Sequence, residues 1–215
     1  MREEDIHENL KKAVLEYDKE RAAVSAKEAI AEQLDPIKMM DVILDAIKQV
    51  GDEFSRGELW LPELVGAAEA VKSAIPVIEE EIKKRERKRE TVGVVVIGTV
   101  KGDIHDIGKN LVATFLTVNG FGVIDLGVDI SAEKFIEAVI KHKPNVLAMS
   151  ALLTVTGHEQ RNVIDALKET GIRDKVKVMV GGGAITQGFA DDIGADGYDP
   201  TAAGAAQLAK SLLAK

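Results

Sequence analysis

The second half of the chain alternates short runs of β-branched residues with longer segments of helical periodicity, and this alternation limits the fold more than any other feature. Such alternation is typical of parallel βαβ units, because two parallel strands need a crossover connection, usually a helix, between them. The predicted strands are residues 92–97, 122–125, 146–150, 176–180 and 197–198. The predicted helices are residues 106–119, 132–141, 157–170, 186–193 and 202–214.

Five strands and five helices fit the segment from residue 91 to residue 215. This number of units matches a doubly wound α/β sheet of the flavodoxin-like, Rossmann-like kind, in which the strand order is 2-1-3-4-5. We therefore predict a five-stranded parallel sheet in that order.

The first half of the chain has a different character. Residues 1–90 hold three of the 19 glycines and end in a charged run of both signs at residues 79–90. Apolar residues recur at helical spacing, and Pro36 and Pro62 stand where new helices would begin, which predicts helices at about 4–17, 20–33, 36–55 and 62–89. We therefore predict two domains, a four-helix bundle at 1–90 and the α/β domain at 91–215.

Composition excludes several classes of site and partner. The chain has no cysteine, which rules out disulfides, a Cys-ligated zinc site and a thiol nucleophile. A formal net charge of −8 argues against nucleic acid as a partner. The apolar runs are far shorter than the roughly 20 residues of a membrane span, and the N-terminus lacks the pattern of a secretory signal. We expect a cytoplasmic protein with no membrane partner.

The loops that follow the strands carry the chemistry, because ligands of open α/β sheets bind beyond the carboxyl ends of the strands. The loop after the first strand contains Asp103, His105 and Gly108 in the pattern Asp-x-His-x-x-Gly. The carboxylate can hold one ring N–H of the histidine and leave the other nitrogen free for a metal. Ser150, at the end of the third strand, could fix the carboxylate. The glycines at 181–183 would let a bulky group approach the backbone.

Each of these features alone has a simpler interpretation. An Asp and a His two residues apart more often cap a loop, and a single histidine cannot hold zinc or iron by itself. The glycine triplet is a common strand-ending loop. It also lacks the Gly-x-Gly-x-x-Gly spacing after the first strand that dinucleotide binding requires.

Together the features resemble the signature of cobalamin-binding domains that bind the cofactor base-off with histidine on. Asp103-x-His105-x-x-Gly108 is followed after 41 residues by Ser150-x-Leu152 and after 29 more by Gly182-Gly183. Upstream, the segment from Gly57 through Trp60 to Leu64 resembles the helical cap of methionine synthase and of the corrinoid proteins of methyltransferase systems. The resemblance covers nearly the whole chain.

The resemblance implies a role for each matching residue. His105 would displace the dimethylbenzimidazole of the cofactor and bind cobalt. Asp103 would orient the histidine, and Ser150 would complete a triad of side chains linked through protons. Residues 125–129 are similar to a second loop of the family, whose role is less specific. The remaining implied cofactor contacts are Gly102, Ile104, Asp106, Ile107, Gly108, Leu152, Thr154, Gly181, Gly182, Gly183 and Tyr198.

The helical domain is implied to cover the face of the corrin that carries the methyl group. Phe54, Leu59, Trp60 and Leu61 are candidates for an apolar lid on that face. The same four residues could equally form the core of the bundle. Both interpretations stay open at this point.

The implied function is that of a methyl carrier, a subunit rather than a complete enzyme. Its partners would be a donor-specific methyltransferase, an acceptor methyltransferase that uses tetrahydrofolate or coenzyme M, and a reductive activator. The alternatives are the small subunit of a carbon-skeleton mutase, which lacks such a helical cap, and a flavodoxin-like binding module without corrinoid. A cobalamin-sensing regulator would need a DNA-binding domain in addition.

Overall fold

The protein is described by a computed structural model that covers residues 3–85 and 91–214. Its contacts divide the chain into two compact units, Met1–Glu90 and Thr91–Lys215. Whether each unit folds on its own stays a prediction. No helix within the described ranges combines the length and the apolar character that crossing a membrane requires.

The helical unit contains four helices within residues 3–85, as predicted. They are α1 (Glu3–Leu15), α2 (Lys19–Ala31), α3 (Pro36–Ser55) and α4 (Leu61–Lys84). Asp18 and Asp35 cap α2 and α3, since their carboxylates accept hydrogen bonds from the backbone N–H groups of Arg21 and Ile37. Residues 86–89 of the predicted fourth helix lie outside the described residues.

The first two helices end two residues earlier than the periodicity predicts. Tyr17 and Gln33 have φ angles of 63° and 58°, in the left-handed region that ends a helix. Apolar periodicity continues past these residues and gives no signal of the change in backbone conformation.

Small side chains let α2 and α4 pack closely. Six alanines of these helices are completely buried, namely Ala22, Ala26, Ala29, Ala67, Ala70 and Ala74. Larger side chains from α1 and α3 complete the core, among them Ile6, Leu10, Met39, Ile43 and Ile47.

The α/β unit has the predicted parallel sheet, with strands in the order β2-β1-β3-β4-β5. The strands are β1 (Val94–Thr99), β2 (Gly122–Asp125), β3 (Val146–Ser150), β4 (Lys177–Gly181) and β5 (Gly197–Tyr198). The helices are α5 (Ile107–Val118), α6 (Ala132–His142), α7 (Thr154–Glu169), α8 (Gln187–Ile193) and α9 (Ala202–Leu213), with a short 3₁₀ turn at Arg173–Lys175.

The register brings the carboxyl ends of the central strands to one edge. Thr99 of β1 pairs with Ser150 of β3, which pairs with Gly181 of β4. Just beyond β1, Val100 forms an isolated parallel bridge with Ile130. The loops after β1, β3 and β4 therefore start at the same level of the sheet, and the loop after β2 starts two residues earlier, because Asp125 pairs with Ile97.

Two elements in this unit differ from their predicted bounds by two residues or more, and the others differ by at most one residue at either end. Strand β1 covers residues 94–99 rather than 92–97, so the loop that follows it begins at Val100. Helix α7 begins at Thr154 rather than at residue 157, because the carbonyl of Leu153 already accepts from the N–H groups of Thr156 and Gly157. The earlier start puts Thr156 in the first turn of α7.

Candidate functional site

The loop between β1 and α5 is built around a buried carboxylate. Asp103 is only 1% exposed. Its Oδ1 accepts from the backbone N–H of His105 at 3.0 Å and lies 2.7 Å from Nδ1 of the same residue. Its Oδ2 accepts from the N–H of Leu152 at 2.8 Å and from Oγ1 of Thr156 at 2.6 Å. Asp103 therefore connects the loop to the start of α7.

These contacts keep Asp103 ionised. Burial alone would raise the pKa of the carboxyl group, but the hydrogen bonds from Thr156, His105 and Leu152 outweigh burial and lower the pKa far below its ordinary value. An ionised carboxylate can only accept hydrogen bonds, so the proton between the two side chains belongs to Nδ1 of His105.

His105 presents its other ring nitrogen away from this network. Its side chain is 48% exposed while Asp103 is buried beneath it. The hydroxyl of Thr99 donates to the carbonyl of His105 at 3.1 Å and holds the backbone as well. With Nδ1 held by Asp103, Nε2 carries the lone pair of a neutral imidazole and is the atom suited to a metal.

The hydroxyl group on Asp103 belongs to Thr156, and the expectation that Ser150 would fix this carboxylate is wrong. Ser150 ends β3, and its carbonyl accepts from the N–H of Val100. Residues of a strand alternate between the two faces of the sheet, whereas the first turn of α7 projects over the end of the sheet, where the carboxylate lies. Ser150 as a cofactor contact stays a prediction.

The protein offers a metal one good ligand at this site. Among residues 3–85 and 91–214, no group of three or more His, Asp or Glu side chains could hold an ion. A macrocycle that supplies its own nitrogens to a metal needs few further ligands, and the free ring nitrogen of His105 can provide one.

The glycine turn after β4 serves close packing within the chain. A Cβ at Gly182, where φ is 128°, would lie 1.8 Å from the carbonyl oxygen of Ala151, and one at Gly183 would lie 2.8 Å from Cδ1 of Leu152. The approach expected of a ligand at Gly182 is therefore made by the backbone of Ala151. Nε2 of the buried Gln160 donates to the carbonyls of Met149 and Gly181 and joins the ends of β3 and β4.

Gly108 has a different surrounding. It lies in the first turn of α5, its φ angle is not in the left-handed region, and a Cβ built on it would meet no atom within 4 Å. Neither backbone conformation nor packing within the described chain requires glycine here. The open space beside Gly108 is what a ligand that approaches the backbone would need.

Exposed apolar side chains lie in or directly after the loop that holds His105 and in the segment after β3, whose Leu152 binds Asp103. We call them the apolar rim, and they are Ile104, Ile107, Leu152, Leu153 and Val155. Exposed apolar patches of this kind mark binding surfaces. A flat, largely apolar ligand could cover the rim and be reached by Nε2 of His105.

The other predicted contacts lie at varying distances along the sheet edge. Gly102 forms a left-handed turn before Asp103, and Asp106 precedes α5 and accepts from the side chain of Asn110. Thr154 is exposed at the start of α7. Tyr198 is half-buried in β5, packs against the core of the sheet and makes no described contact with the Asp103 network.

Sequence reasoning missed a buried cation beside this loop. Lys109 is 2% exposed, and its ammonium group donates to Asp125 at the end of β2 and to Asn110. A charged side chain is buried only when it is paired, so this pair fixes α5 against the end of β2. The one sequence feature that points to this ion pair is Asp125, an acidic residue at the end of a predicted strand.

The exposed fractions of the side chains near Trp60 show whether these residues form the core of the helical bundle. Trp60 is 78% exposed and Leu61 is 50% exposed, so neither belongs to the core of the bundle. Phe54 is also exposed, and Leu59 is half-buried. A lid role for these side chains stays a prediction.

Comparison with known proteins gives two family matches. Models described as B12 binding domain match residues 93–207 and, separately, residues 6–79. The first match covers the α/β unit with Asp103, His105 and the glycine turn. The second covers most of the helical unit.

Individual relatives extend over nearly the full chain. Trimethylamine corrinoid protein 2 of Methanosarcina mazei is 44% identical over 211 residues, which are 98% of this chain and 97% of the relative. Dimethylamine corrinoid protein 1 of the same organism is 41% identical over 211 residues, with the same coverage. Among solved structures, a chain of the methanol:cobalamin methyltransferase complex MtaBC from Methanosarcina barkeri has a TM-score of 0.82 at 32% identity and covers 99% of this chain and 81% of that one.

Proposed function

The chain belongs to the corrinoid proteins of methyltransferase systems, which contain a B12 binding domain, and from that premise we propose that it carries methyl groups on its corrinoid. Its cofactor is cobalamin or a related corrinoid. The proposal includes base-off binding, in which His105 takes the lower axial position on cobalt. The single observation that supports this most strongly is the half-exposed imidazole oriented by a buried, ionised Asp103.

The residues present fit a corrinoid. His105 offers one nitrogen, the apolar rim offers a surface for the macrocycle, and Gly108 leaves open space beside α5. When bound, the corrinoid supplies the cobalt that accepts and releases the methyl group. The remaining proposed contacts are Gly102, Ile104, Asp106, Ile107, Ser150, Leu152, Thr154, Gly181, Gly182, Gly183 and Tyr198.

The chain itself controls the state of the histidine. Asp103 holds the proton on Nδ1, and four hydrogen bonds keep this carboxylate from taking the proton itself. Nε2 is then an electron-pair donor in a fixed direction. Carboxylate partners of metal-bound histidines raise the basicity of the ligand in this way.

We infer that the partners are a donor-specific methyltransferase, an acceptor methyltransferase that uses tetrahydrofolate or coenzyme M, and a reductive activator. Relatives named for trimethylamine and dimethylamine support a methylamine as the donor. Methanol is a second candidate, because a chain of a methanol:cobalamin methyltransferase complex shares this fold at 32% identity. A cytoplasmic location stays part of the proposal.

Electron paramagnetic resonance of the Co(II) form tests the ligand assignment. In protein labelled with ¹⁵N-histidine, we expect nitrogen coupling from one labelled histidine. His105→Ala should abolish this coupling, while His158→Ala, which removes an exposed histidine of α7, should leave it unchanged. Coupling from an unlabelled benzimidazole nitrogen in the unsubstituted protein would show that the cofactor keeps its own base and would overturn the assignment.

The carrier role needs a separate experiment. Protein loaded with methylcobalamin should transfer its methyl group slowly to tetrahydrofolate or coenzyme M alone, and a cognate methyltransferase should accelerate the transfer. Rapid, saturable transfer by the purified chain alone would contradict a carrier and indicate that the chain holds its own acceptor site.

A further inference from the structure

Asp129 contacts the histidine loop from the side opposite to α7. It lies between β2 and α6, and its Oδ1 accepts from the backbone N–H of Gly102 at 2.7 Å. Its own N–H donates to the carbonyl of Asp103 at 3.0 Å. One residue therefore binds both ends of the Gly102–Asp103 segment, two residues before His105.

The backbone conformations show that this contact is specific. Asp129 has a φ of 54° and Gly102 has a φ of 76°, so two left-handed residues face each other across the contact. Left-handed backbone costs free energy for any residue except glycine and is tolerated best by Asn and Asp. The adjacent bridge between Val100 and Ile130 fixes the two segments in register.

The contact complements the network already described. Leu152 and Thr156 hold the carboxylate of Asp103 from the α7 side, and Thr99 holds the carbonyl of His105. The N–H of Asp103 donates to the carbonyl of Val100, but none of these contacts binds the N–H of Gly102 or the carbonyl of Asp103. Asp129 supplies that restraint from the β2 side.

We propose that Asp129 is a positioning residue for the axial histidine. The inference rests on the proposed ligation by His105 and goes beyond it, since Asp129 binds Gly102 and Asp103 and makes no described hydrogen bond to His105 itself. Ligand geometry must be held within about 0.5 Å by supporting contacts for a site to keep its function. Loss of the Asp129 contacts lets the loop shift and weakens the hold of His105 on cobalt.

Three variants separate the effects. Asp129→Gly removes the side-chain acceptor while it relieves the left-handed backbone. Asp129→Asn keeps an oxygen acceptor for Gly102 and tolerates the same φ. Asn145→Ala is the matched control, because Oδ1 of Asn145 accepts from the N–H of Val94 at 2.8 Å at the opposite end of β1.

The experiment measures how firmly His105 holds cobalt. Protein labelled with ¹⁵N-histidine is loaded with cobalamin, reduced to Co(II) and titrated with unlabelled imidazole. Paramagnetic resonance distinguishes ¹⁵N from ¹⁴N coupling, so the imidazole concentration at half replacement reports the hold. We expect half replacement of Asp129→Gly at a concentration about fivefold to tenfold lower than for the unsubstituted protein, as for loss of one hydrogen bond near 1 kcal/mol.

The control variants decide the interpretation. Asp129→Asn should stay within about twofold of the unsubstituted protein, and Asn145→Ala should not differ from it, although both lose some thermal stability. If Asp129→Gly shows histidine coupling and needs as much imidazole as the unsubstituted protein, the positioning role is overturned. If Asn145→Ala loses the histidine as readily as Asp129→Gly, the effect is general loosening and the role is again overturned.

Failure of the underlying ligation gives a different result. Absence of ¹⁵N coupling in the unsubstituted protein before any imidazole is added would overturn the proposal for His105, and the role of Asp129 with it. Cofactor binding by Asp129→Gly, followed by its visible spectrum, shows that the variant is folded and loaded.

Discussion

The two units treat buried polar groups differently. Among the side chains whose burial is described, the helical unit buries one polar residue, Ser25, whereas the α/β unit buries Thr99, Asp103, Lys109, Thr156 and Gln160. Asp103 lies in the loop after β1, Lys109 lies in the helix α5 that follows it, and Thr99 and Thr156 donate hydrogen bonds to the loop. The fifth residue, Gln160, holds the glycine turn. The helical unit is thus an apolar core with polar caps, and the α/β unit concentrates its polar burial at one edge of the sheet.

This difference marks the edge of the sheet at which the chain buries polar groups. A buried polar group costs free energy unless it is hydrogen-bonded, and a buried charge costs more unless it is paired. A core optimised only for folding would avoid both. Their concentration around His105 marks the place at which local rules are broken for function.

The largest expected effect follows from removing the centre of the polar network. Asp103→Ala leaves the hydroxyl of Thr156 and two backbone N–H groups without their acceptor, so the free energy of unfolding of the α/β unit should fall by about 4 kcal/mol. Ser25→Ala should cost the helical unit about 1 kcal/mol or less. Urea unfolding followed by circular dichroism measures both. Amide hydrogen exchange in each unit shows which of the two has lost stability.

A loss below about 1 kcal/mol for Asp103→Ala would break the comparison. It would mean that Thr156 and Leu152 find other hydrogen-bond partners. The polar network around Asp103 would then not be needed to hold this edge of the sheet.

The helical unit should respond to cavities instead. Leu64→Ala empties a position that is 2% exposed, and the unit's free energy of unfolding should fall by about 3 kcal/mol. Trp60→Ala, four residues earlier and 78% exposed, should change it by about 0.5 kcal/mol or less. Thermal unfolding by circular dichroism compares the two variants. An equal loss in both would show that Trp60 packs in a core after all.

Local sequence patterns predict most of the fold. Of the hydrogen-bonded site, they predict Asp103 and His105 but not Thr156. The number of alternating βαβ units predicts the sheet order, and the pair Asp103 and His105 is recognisable because the two residues stand two positions apart in the chain. The sequence gives no sign of the contact made by Thr156, because this residue lies 53 positions from Asp103 and precedes the predicted start of the helix at residue 157. No local signal shows which hydroxyl reaches a carboxylate over that distance.

The role of the glycines was also hidden in the sequence. Gly182 is required by the backbone of Ala151, a contact between two loops that follow different strands. Asp129 belongs to the segment 125–129 that is similar to a second loop of the family. Its hydrogen bond with Gly102, however, depends on the register of β1 and β2. Such contacts are set by tertiary structure, and single-sequence patterns do not contain them.

The pH dependence of stability should differ between the units because of Asp103. Its pKa is lower in the folded protein than in the unfolded chain, so its contribution is fully present above about pH 4 and is lost as the pH falls through the folded-state pKa. Asp103→Asn should remove up to about 1.4 kcal/mol per pH unit of this acid sensitivity from the α/β unit. Urea unfolding between about pH 2 and pH 5 measures the slope, because the loss begins near the pKa of the unfolded chain and continues below it. Identical slopes in the two proteins would contradict the assigned direction of the shift.

The smallest expected effect comes from the largest change, removal of the helical unit. Asp103, His105, Thr156 and their partners Leu152 and Asp129 all lie within 91–215, so a fragment of those residues should fold and bind cobalamin. Its Co(II) form should show the same ¹⁵N-histidine coupling as the full chain, because no described hydrogen bond of the network comes from residues 3–85. A fragment that is insoluble, or that stays colourless with added cofactor, would show that the α/β unit depends on the helices for its fold. A folded, coloured fragment without histidine coupling would show instead that the helices are needed to bring His105 onto cobalt. In that case both units would take part in holding the cofactor, although only the α/β unit concentrates buried polar groups.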